Sequence, residues 1–292
     1  MHKVSYLGPF GATFSHEAYR RFARARRAPE ATETNYVSVR TNAEVLDSVI
    51  LNDGYGVLTT ETLAHCRINQ SIESFARLLE HHESADALPF HIVGAAVEPV
   101  TFSLMMYGAP RRSGVQVAYG HEEALGACAR YLSRQNIVQR PVSSNGEAAR
   151  IVAEDRGALP IAAVGPRIAA EQYRLQVINQ GIEDEEAATI FVWLAPRAHP
   201  VRVGVHNRAI IAFRVPHEPG ALLRVQEPFA KRGVNLTSIH SVPLRQGIYS
   251  FVIEVDVPCA LGTAYHAVLE EIRRHTTRCI AFGPFEVLDP AT

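Results

Sequence analysis

Four apolar segments of this sequence are each followed by small and polar residues, at points where a strand would end and a helix would begin. A helix that starts on a turn of small residues presents free backbone N–H groups and the positive end of its dipole, which suits an anion. Hydroxyl, amide and imidazole groups there can add hydrogen bonds. The residues of interest are Gly8, Pro9, Thr13 and Ser15 in the first turn, Glu61 and Thr62 in the second, His121 in the third, and Ser144 and Asn145 in the fourth.

Helix capping is the simpler explanation for each of these turns taken alone. Four such turns within one domain favour another interpretation, in which they converge on a cleft that binds a small anion. That interpretation requires the preceding strands to end at one edge of a sheet, where open α/β sheets bind their ligands.

Strands and helices alternate through the first two thirds of the chain, which predicts an α/β fold with a parallel sheet. Val4–Leu7 is predicted as the first strand, Glu17–Arg27 as the first helix and Ala31–Val39 as the next strand. One Ala-rich helix is predicted to run from His121 to Leu132, and the apolar segment Thr189–Leu194 is predicted as a buried strand.

The last third of the chain has a different order of elements. Ala195–Val205 is rich in Pro and Arg, lacks an apolar period and is typical of a linker. The order that follows is βαββαβ, which is typical of a ferredoxin-like α+β unit. Its helices are predicted at Ala221–Lys231 and Leu261–His275, and Pro228 is a local irregularity inside the first of them.

Charge and hydropathy exclude several classes of partner. Among 292 residues, 29 Lys and Arg balance 30 Asp and Glu, so no overall field attracts nucleic acid or anionic lipid. The first ten residues lack the apolar core of a signal peptide, and no apolar run approaches membrane length. We therefore expect a cytoplasmic protein of two or three domains with neither nucleic-acid nor membrane partners.

The four cysteines are widely separated and form no CxxC pair, which argues against a zinc ribbon or a disulfide framework. Buried free thiols are the simplest interpretation, and no metal or cofactor is expected. The four residues are Cys66, Cys128, Cys259 and Cys279.

Short motifs that occur together in one enzyme family are spread over nearly the whole chain. The motifs are Tyr6-Leu7-Gly8-Pro9, Thr13-Phe14-Ser15-His16, Asp53-Gly54-Tyr55-Gly56-Val57 before Glu61, His121 with Ala124-Leu125 and Cys128, Glu147-Ala148-Ala149, Thr189 with Phe191, Pro219-Gly220-Ala221-Leu222 and Gly233-Val234-Asn235-Leu236-Thr237. On these motifs the chain resembles the prephenate dehydratases, in which a catalytic region is followed by an ACT domain.

The resemblance implies both a domain plan and a reaction. Residues 1–195 would form a two-lobed, periplasmic-binding-protein-like α/β catalytic domain with a cleft between the lobes. Residues 196–206 would be the linker, and residues 207–292 a ferredoxin-like ACT regulatory domain. The implied enzyme is a lyase of L-phenylalanine biosynthesis, which converts prephenate to phenylpyruvate with loss of water and carbon dioxide.

The resemblance also implies roles for individual residues. Thr189 would donate the proton to the departing hydroxyl, and Glu61 would be a general acid or a turn cap. The implied partners are a small dicarboxylate substrate, an amino-acid effector and further copies of the chain in a homodimer or tetramer. Substrate binding would fall on Gly8, Pro9, Thr13, Ser15, Thr62, His121, Ser144, Asn145 and Phe191. Effector binding would fall on Gly220, Ala221, Leu222, Asn235, Leu236 and His240.

The chain departs from the family pattern at several of these motifs. The family's Thr-Arg-Phe is Thr189-Ile190-Phe191 here, so the arginine that can grip a carboxylate bidentately is absent from this position. The other departures are Thr59-Thr60-Glu61-Thr62-Leu63 for Pro-Ile-Glu-Asn-Ser, the extra residue Ala12, Ser144-Asn145-Gly146-Glu147 for Ser-Thr-Ala-Glu, and His240-Ser241-Val242-Pro243 for Glu-Ser-Arg-Pro.

These departures leave alternatives open. Prephenate binds more weakly, or another arginine such as Arg67 replaces the missing one, or the substrate differs. Besides a dehydratase with a reshaped pocket, the sequence therefore permits a prephenate decarboxylase-like enzyme of specialised metabolism. It also permits a non-catalytic sensor of small acids.

Overall fold

A computed structural model describes residues 2–62, 70–109, 114–202, 204, 207–245 and 248–289, with the backbone alone at residues 61, 62, 70, 244 and 245. Cys66 and Arg67 lie outside the described residues. In chain order the strands are β1 (Val4–Leu7), β2 (Tyr36–Val39), β3 (Tyr55–Thr62), β4 (Phe90–Val100), β5 (Ser103–Met106), β6 (Val117–Gly120), β7 (Val138–Pro141), β8 (Ile161–Gly165), β9 (Gln176–Gln180), β10 (Ala187–Pro196), β11 (Asn207–Arg214), β12 (Asn235–Arg245), β13 (Ile248–Asp256) and β14 (Arg278–Leu288). The α-helices are α1 (Phe14–Arg26), α2 (Asn42–Asn52), α3 (Gln70–His81), α4 (Glu122–Ala127), α5 (Ala129–Arg134), α6 (Asn145–Asp155), α7 (Arg167–Tyr173), α8 (Ala221–Lys231) and α9 (Gly262–Arg273).

The strands form two mixed sheets. The larger sheet has nine strands in the order β12-β13-β11-β14-β4-β10-β3-β1-β2, and the smaller has five in the order β7-β6-β8-β5-β9. The prediction of a parallel sheet is wrong for part of each, because β10 is antiparallel to β3 and β4, and β5 is antiparallel to β8 and β9. The reason is that the chain crosses from the first lobe to the second after β4 and returns before β10.

The first lobe contains β1 to β4, β10 and helices α1 to α3, and the second lobe contains β5 to β9 and helices α4 to α7. Each face of β10 packs into a different core of the first lobe. Ile190 and Val192 face the core formed with α2 and α3, whereas Phe191 and Trp193 face the core beneath α1. This alternation follows directly from the two-residue period of a strand.

The C-terminal unit, residues 207–289, is joined to the first lobe by hydrogen bonds and by packing. Strand β14 pairs in parallel with β4, with Val287 opposite Ala95, so one sheet runs through both parts. The core that contains Ile190 continues through α3 into the C-terminal sheet at Val252 and Phe282. On the other side of the shared sheet, the buried Arg26 of α1 pairs with Glu286 of β14.

Several local predictions differ from the structure. Strand β2 begins at Tyr36 rather than Ala31, and the helix predicted to run to Leu132 is two helices that meet at Cys128, where φ is −110° and ψ is 14°. Strand β7 follows these helices and was not predicted. Pro228 lies inside the continuous helix α8. Among the described helices, none is long and apolar enough to cross a membrane.

Candidate functional site

The predicted catalytic threonine lies at the edge of the large sheet that faces the second lobe. Strands β1 and β3 are parallel and β10 runs against them, so the carboxyl ends of β1 and β3 and the amino end of β10 share this edge. Thr189, near the start of β10, stands opposite Thr62 on β3 and Glu98 on β4. Just beyond these paired residues the chain crosses from the first lobe to the second, between Val100 at the end of β4 and Ser103 at the start of β5.

Thr189 and Ile190 occupy opposite faces of β10. Thr189 lies on the same face as Phe191, which is the face covered by α1, and is 6% exposed. Ile190 lies on the other face, is 2% exposed and packs in the apolar core shared with the C-terminal unit. An arginine on β10 at residue 190 would therefore start from the face away from Thr189. Phe191, which was predicted to bind substrate, is 2% exposed and packs in the core beneath α1. Its side chain is therefore part of that core.

The first turn is held by the Thr13 side chain. Its hydroxyl donates to the Leu7 carbonyl at 2.8 Å and accepts from the His16 N–H at 3.2 Å, which caps helix α1. The helix therefore begins at Phe14 rather than at the predicted Glu17. Because the Thr13 hydroxyl already donates its proton to the Leu7 carbonyl, it can only accept a hydrogen bond from a ligand. Ser15 is 6% exposed, in the first turn of α1.

The first turn packs tightly against the second lobe. A Cβ atom at Gly146, near the start of α6, would lie 2.4 Å from the Pro9 ring, and one at Gly11 would lie 2.6 Å from Gln172 of α7. Gly11 also has a φ of 74°, which favours glycine. Ala12, the residue extra to the family pattern, is fully buried in a core of the second lobe. These contacts explain why small residues occupy both sides of the junction.

The third and fourth turns are joined to each other by a hydrogen bond. The His121 N–H donates to the Asn145 side-chain oxygen at 2.9 Å. Ser144 accepts from the Glu147 N–H at 3.0 Å and caps α6, and His121 Nδ1 accepts from the Glu123 N–H at 3.4 Å and caps α4. The capping role that the sequence suggested is thus present at the third and fourth turns, and a hydrogen bond also joins these two turns.

The predicted site residues therefore form two groups. The contact between Pro9 and Gly146 joins the first turn to α6, so one group contains Gly8, Pro9, Thr13, Ser15, His121, Ser144 and Asn145. The pairing of β3 with β10 joins the backbones of Glu61 and Thr62 to Thr189 and Phe191. The first-lobe members of both groups lie at the same end of that lobe, since β1 pairs with β3 through Ser5 and Gly56, whereas His121, Ser144 and Asn145 belong to the second lobe. The side chains of Glu61 and Thr62 lie outside the described part of the chain.

Charged residues that the sequence analysis did not single out lie beside Thr189. Arg21 of α1 donates to Glu98 at 2.9 Å, and Glu98 is the β4 neighbour of Thr189. Glu17, one helical turn before Arg21, keeps exposed surface. The protein around its carboxyl nevertheless desolvates it and, together with Glu98 and Glu171, raises the pKa of Glu17 to about 7. The i, i+4 spacing of Glu17 and Arg21 is the sequence signal that indicates one shared helix face.

The C-terminal unit contains a separate cavity of about 710 Å³ between the end of β11, the start of α8 and the start of β13. Three predicted effector residues, Gly220, Ala221 and Leu222, line it. The other three, Asn235, Leu236 and His240, lie on β12 and are not among its lining residues. Arg214 and Tyr249 line the cavity and were not predicted. Within the described ranges, no group of three or more His, Cys, Asp or Glu side chains could hold a metal ion.

Comparison with known proteins identifies the family. The sequence profile described as "Prephenate dehydratase" matches residues 4–199. A bifunctional chorismate mutase/prephenate dehydratase of Aquifex aeolicus is 30% identical over 259 residues, which is 87% of this chain and 65% of the relative. A prephenate dehydratase of Mycobacterium marinum is 28% identical over 295 residues, covering 96% of this chain and 86% of the relative.

Solved structures share the fold over almost the full length. A prephenate dehydratase of Arthrobacter aurescens in complex with L-Phe has a TM-score of 0.78 at 24% identity, covering 99% of this chain and 90% of that one. GqqA, described as a novel type of quorum-quenching acylase, has a TM-score of 0.78 at 20% identity, covering 99% of both chains.

The chain belongs to the prephenate dehydratase family, since the profile covers well over half of its length. It spans 65% of the length of the A. aeolicus relative.

Proposed function

We propose that this protein is a prephenate dehydratase, which converts prephenate to phenylpyruvate, water and carbon dioxide. Membership of the family supports the reaction class. The observation that carries the proposal is the position of Thr189. This hydroxyl-bearing residue lies on the edge of the sheet next to the second lobe, on the face that helix α1 covers.

The chemistry needs two anion sites and one proton donor. The N-terminal ends of α1 and α6 present backbone N–H groups and positive dipole ends that can hold the two carboxylates of the substrate. Thr189 protonates the ring hydroxyl, the C–O bond breaks and water leaves. The bond from the ring to its carboxylate then breaks, its electron pair completes the aromatic ring, carbon dioxide leaves, and Thr189 regains a proton from solvent.

For the C-terminal unit we propose an ACT regulatory domain, with residues 1–195 as the catalytic domain and 196–206 as the linker. Its order of elements, βαββαβ with sheet order β12-β13-β11-β14, supports this assignment. The cavity at Gly220, Ala221 and Leu222 is where an amino-acid effector would bind, and the A. aurescens relative was solved in complex with L-Phe.

We also propose that the protein is a homo-oligomer, at least a dimer. Strand β12 is an edge strand of the nine-stranded sheet, which leaves it free to pair with another chain. Apolar side chains are exposed on and near this edge, at Leu223, Ile239, Ile248 and Tyr249.

The burial of Ile190 favours one alternative. Because residue 190 offers no cation to a substrate carboxylate, a prephenate decarboxylase-like reaction, in which carbon dioxide leaves and the ring hydroxyl stays, remains the second candidate.

Incubation of the purified protein with prephenate, followed by absorbance and mass analysis of the product, separates these functions. Phenylpyruvate is the expected product. A hydroxylated dihydro-keto acid would indicate the decarboxylase, and binding without turnover would indicate a sensor.

A further inference from the structure

A second cavity lies along one flank of helix α1 and includes Phe10 of the first turn in its lining. Its volume is about 250 Å³, room for roughly eight water-sized groups at about 30 Å³ each. None of the residues assigned above to the substrate or the effector lines it. Its lining residues are Phe10, His16, Arg20, Ala23, Arg24, Glu30 and Ala31.

Two exposed arginines of α1 line this cavity, and the charge of one of them, Arg20, also acts on the Glu17 carboxyl and on His16. Arg21 and Arg26 of the same helix are paired, with Glu98 and Glu286 respectively. Arg20 and Arg24 lie on the flank that lines the cavity, and neither makes an ion pair or hydrogen bond in the structure described here. Two guanidinium groups one helical turn apart form a natural grip for a carboxylate.

His16 adds a buried polar group to the wall of this cavity. It is 7% exposed, and its Nδ1 lies 2.5 Å from the Tyr6 hydroxyl. Burial, together with Arg20, lowers the pKa of His16 to about 4, so the ring is neutral at pH 7. The Tyr6 hydroxyl can donate to Nδ1, and the proton of the ring then lies on Nε2, which is the nitrogen left for a ligand.

The remaining walls are apolar except at one point. Phe10 packs against His16 and Tyr36, at ring-centroid distances of 5.1 and 5.6 Å, and Ala23 and Ala31 complete an apolar lining. Glu30 contributes a carboxylate that makes no ion pair or side-chain hydrogen bond within the described ranges. That carboxylate would accept a hydrogen bond from a hydroxyl or amino group of a ligand.

We propose that this cavity is a binding site for a small organic acid with an apolar body and a hydroxyl or amino group beside its carboxylate. The carboxylate binds Arg20 and Arg24, the hydroxyl or amino group binds Glu30, and the apolar body packs on Phe10. None of its lining residues is assigned to the proposed catalytic cleft, so the proposal does not depend on the assignment of the reaction.

Calorimetric titrations with three probes of one skeleton test this site. The probes are 3-phenyllactate, which carries the carboxylate and the hydroxyl, 3-phenylpropionate, which lacks the hydroxyl, and phenethyl alcohol, which lacks the carboxylate. We expect 3-phenyllactate to bind more tightly than 3-phenylpropionate, and phenethyl alcohol to show no saturable binding.

The double variant R20Q/R24Q should weaken binding of 3-phenyllactate by about tenfold or more, because two charge-assisted contacts are lost. R134Q/R140Q is the matched control, since it removes the same charge from exposed arginines of the second lobe and should bind as the wild type does. Glu30→Gln should reduce the preference for 3-phenyllactate over 3-phenylpropionate. Turnover of prephenate should be unchanged in R20Q/R24Q.

Three results would overturn the proposal. They are undiminished binding in R20Q/R24Q, no saturable binding of 3-phenyllactate to the wild type, and loss of binding in Thr189→Ala instead, which would assign the acid to the cleft between the lobes. Thermal unfolding of each variant confirms that the protein is folded in every titration.

Discussion

The first and second lobes are held in the molecule by different means. The first lobe shares a sheet and a core with the C-terminal unit, and its buried Arg26 forms an ion pair with Glu286 of that unit. The second lobe has two cores of its own and is attached by the crossings after β4 and before β10 and by the packing of the first turn. We therefore expect the first lobe and the C-terminal unit to unfold together and the second lobe to unfold more independently.

The largest expected effect is at Thr189, near the start of β10, where the chain re-enters the first lobe from the second. Thr189→Ala should lower the rate of prephenate turnover by about 10²–10⁴-fold, because a positioned proton donor contributes that much. Thr189→Ser keeps a hydroxyl and should keep much of the rate. Product formation measured beside circular dichroism separates chemistry from folding, and full activity in Thr189→Ala would exclude this residue from the mechanism.

Restoring the family's arginine tests the two faces of β10. Ile190→Arg places a charge in the core shared with the C-terminal unit, and we expect the free energy of unfolding to fall by about 3–5 kcal/mol. Ile190→Val, the control, should cost about 0.5–1.5 kcal/mol. Chemical denaturation measures both. A stable Ile190→Arg variant with faster turnover would show that this face of β10 reaches the substrate.

A pair of leucines tests whether the first lobe and the C-terminal unit unfold together. Leu79 of α3 and Leu132 of α5 are both fully buried, the first in the shared core and the second in a core of the second lobe. Each change to alanine should cost about 2–5 kcal/mol.

Trp193, the single tryptophan, lies in the first lobe and reports on it by fluorescence. Leu79→Ala should shift the Trp193 transition, and amide hydrogen exchange in the C-terminal unit should accelerate with it. Leu132→Ala should accelerate exchange in the second lobe first. If Leu79→Ala left the C-terminal amides protected, the shared core would not couple the two parts.

Acid should act on the first lobe through one buried histidine, His16, and two half-buried ones, His91 and His199. Burial lowers the pKa of His16 to about 4, and it also lowers the pKa values of His91 and His199. For these histidines the unfolded chain binds more protons than the folded one between pH 6.5 and about 4, so they lower stability as pH falls through this window, whereas Glu17, with its pKa raised to about 7, acts in the opposite direction.

For His16 alone the loss from pH 7 to pH 5 is about 2 kcal/mol, at about 1.4 kcal/mol per pKa unit. Denaturation followed by Trp193 fluorescence at both pH values measures it. In His16→Asn the difference between the two pH values should shrink by that amount, and an unchanged difference would contradict the prediction.

The smallest expected effect concerns the fourth turn, in the second lobe. Ser144→Ala removes the cap of α6 and should cost about 1 kcal/mol of unfolding free energy. Thr41→Ala, which removes the equivalent cap of α2 in the first lobe, is a matched control for the loss of a cap. A loss of activity in Ser144→Ala well beyond that in Thr41→Ala would show that the Ser144 hydroxyl also contacts substrate.

Features set by neighbouring residues could be predicted from the sequence. The cap at Thr13 and the strand at Thr189 depend on a few adjacent positions, and the structure contains both. The break at Cys128 was missed because helix propensity is high on both sides of it. The opposite faces of Thr189 and Ile190 follow from strand alternation, so this part of the site was within reach of the sequence.

Long-range features could not be predicted in the same way. The pairing of Val287 with Ala95 joins residues far apart in the chain, and no local pattern encodes that register. The cavity beside α1 forms because Phe10 and Glu30 pack beside Arg20 and Arg24 of that helix. The sequence alone does not show which of the arginines of α1 line a cavity.

The union of β14 with β4 has a consequence for any attempt to dissect the protein. In a shortened chain that stopped before β11, β4 would become an unpaired edge strand. The apolar side of α3 that packs on the C-terminal unit would be exposed to solvent. Unpaired edges and bare apolar faces template aggregation. We therefore expect a chain shortened before β11 to aggregate, because the C-terminal unit covers part of β4 and the apolar side of α3.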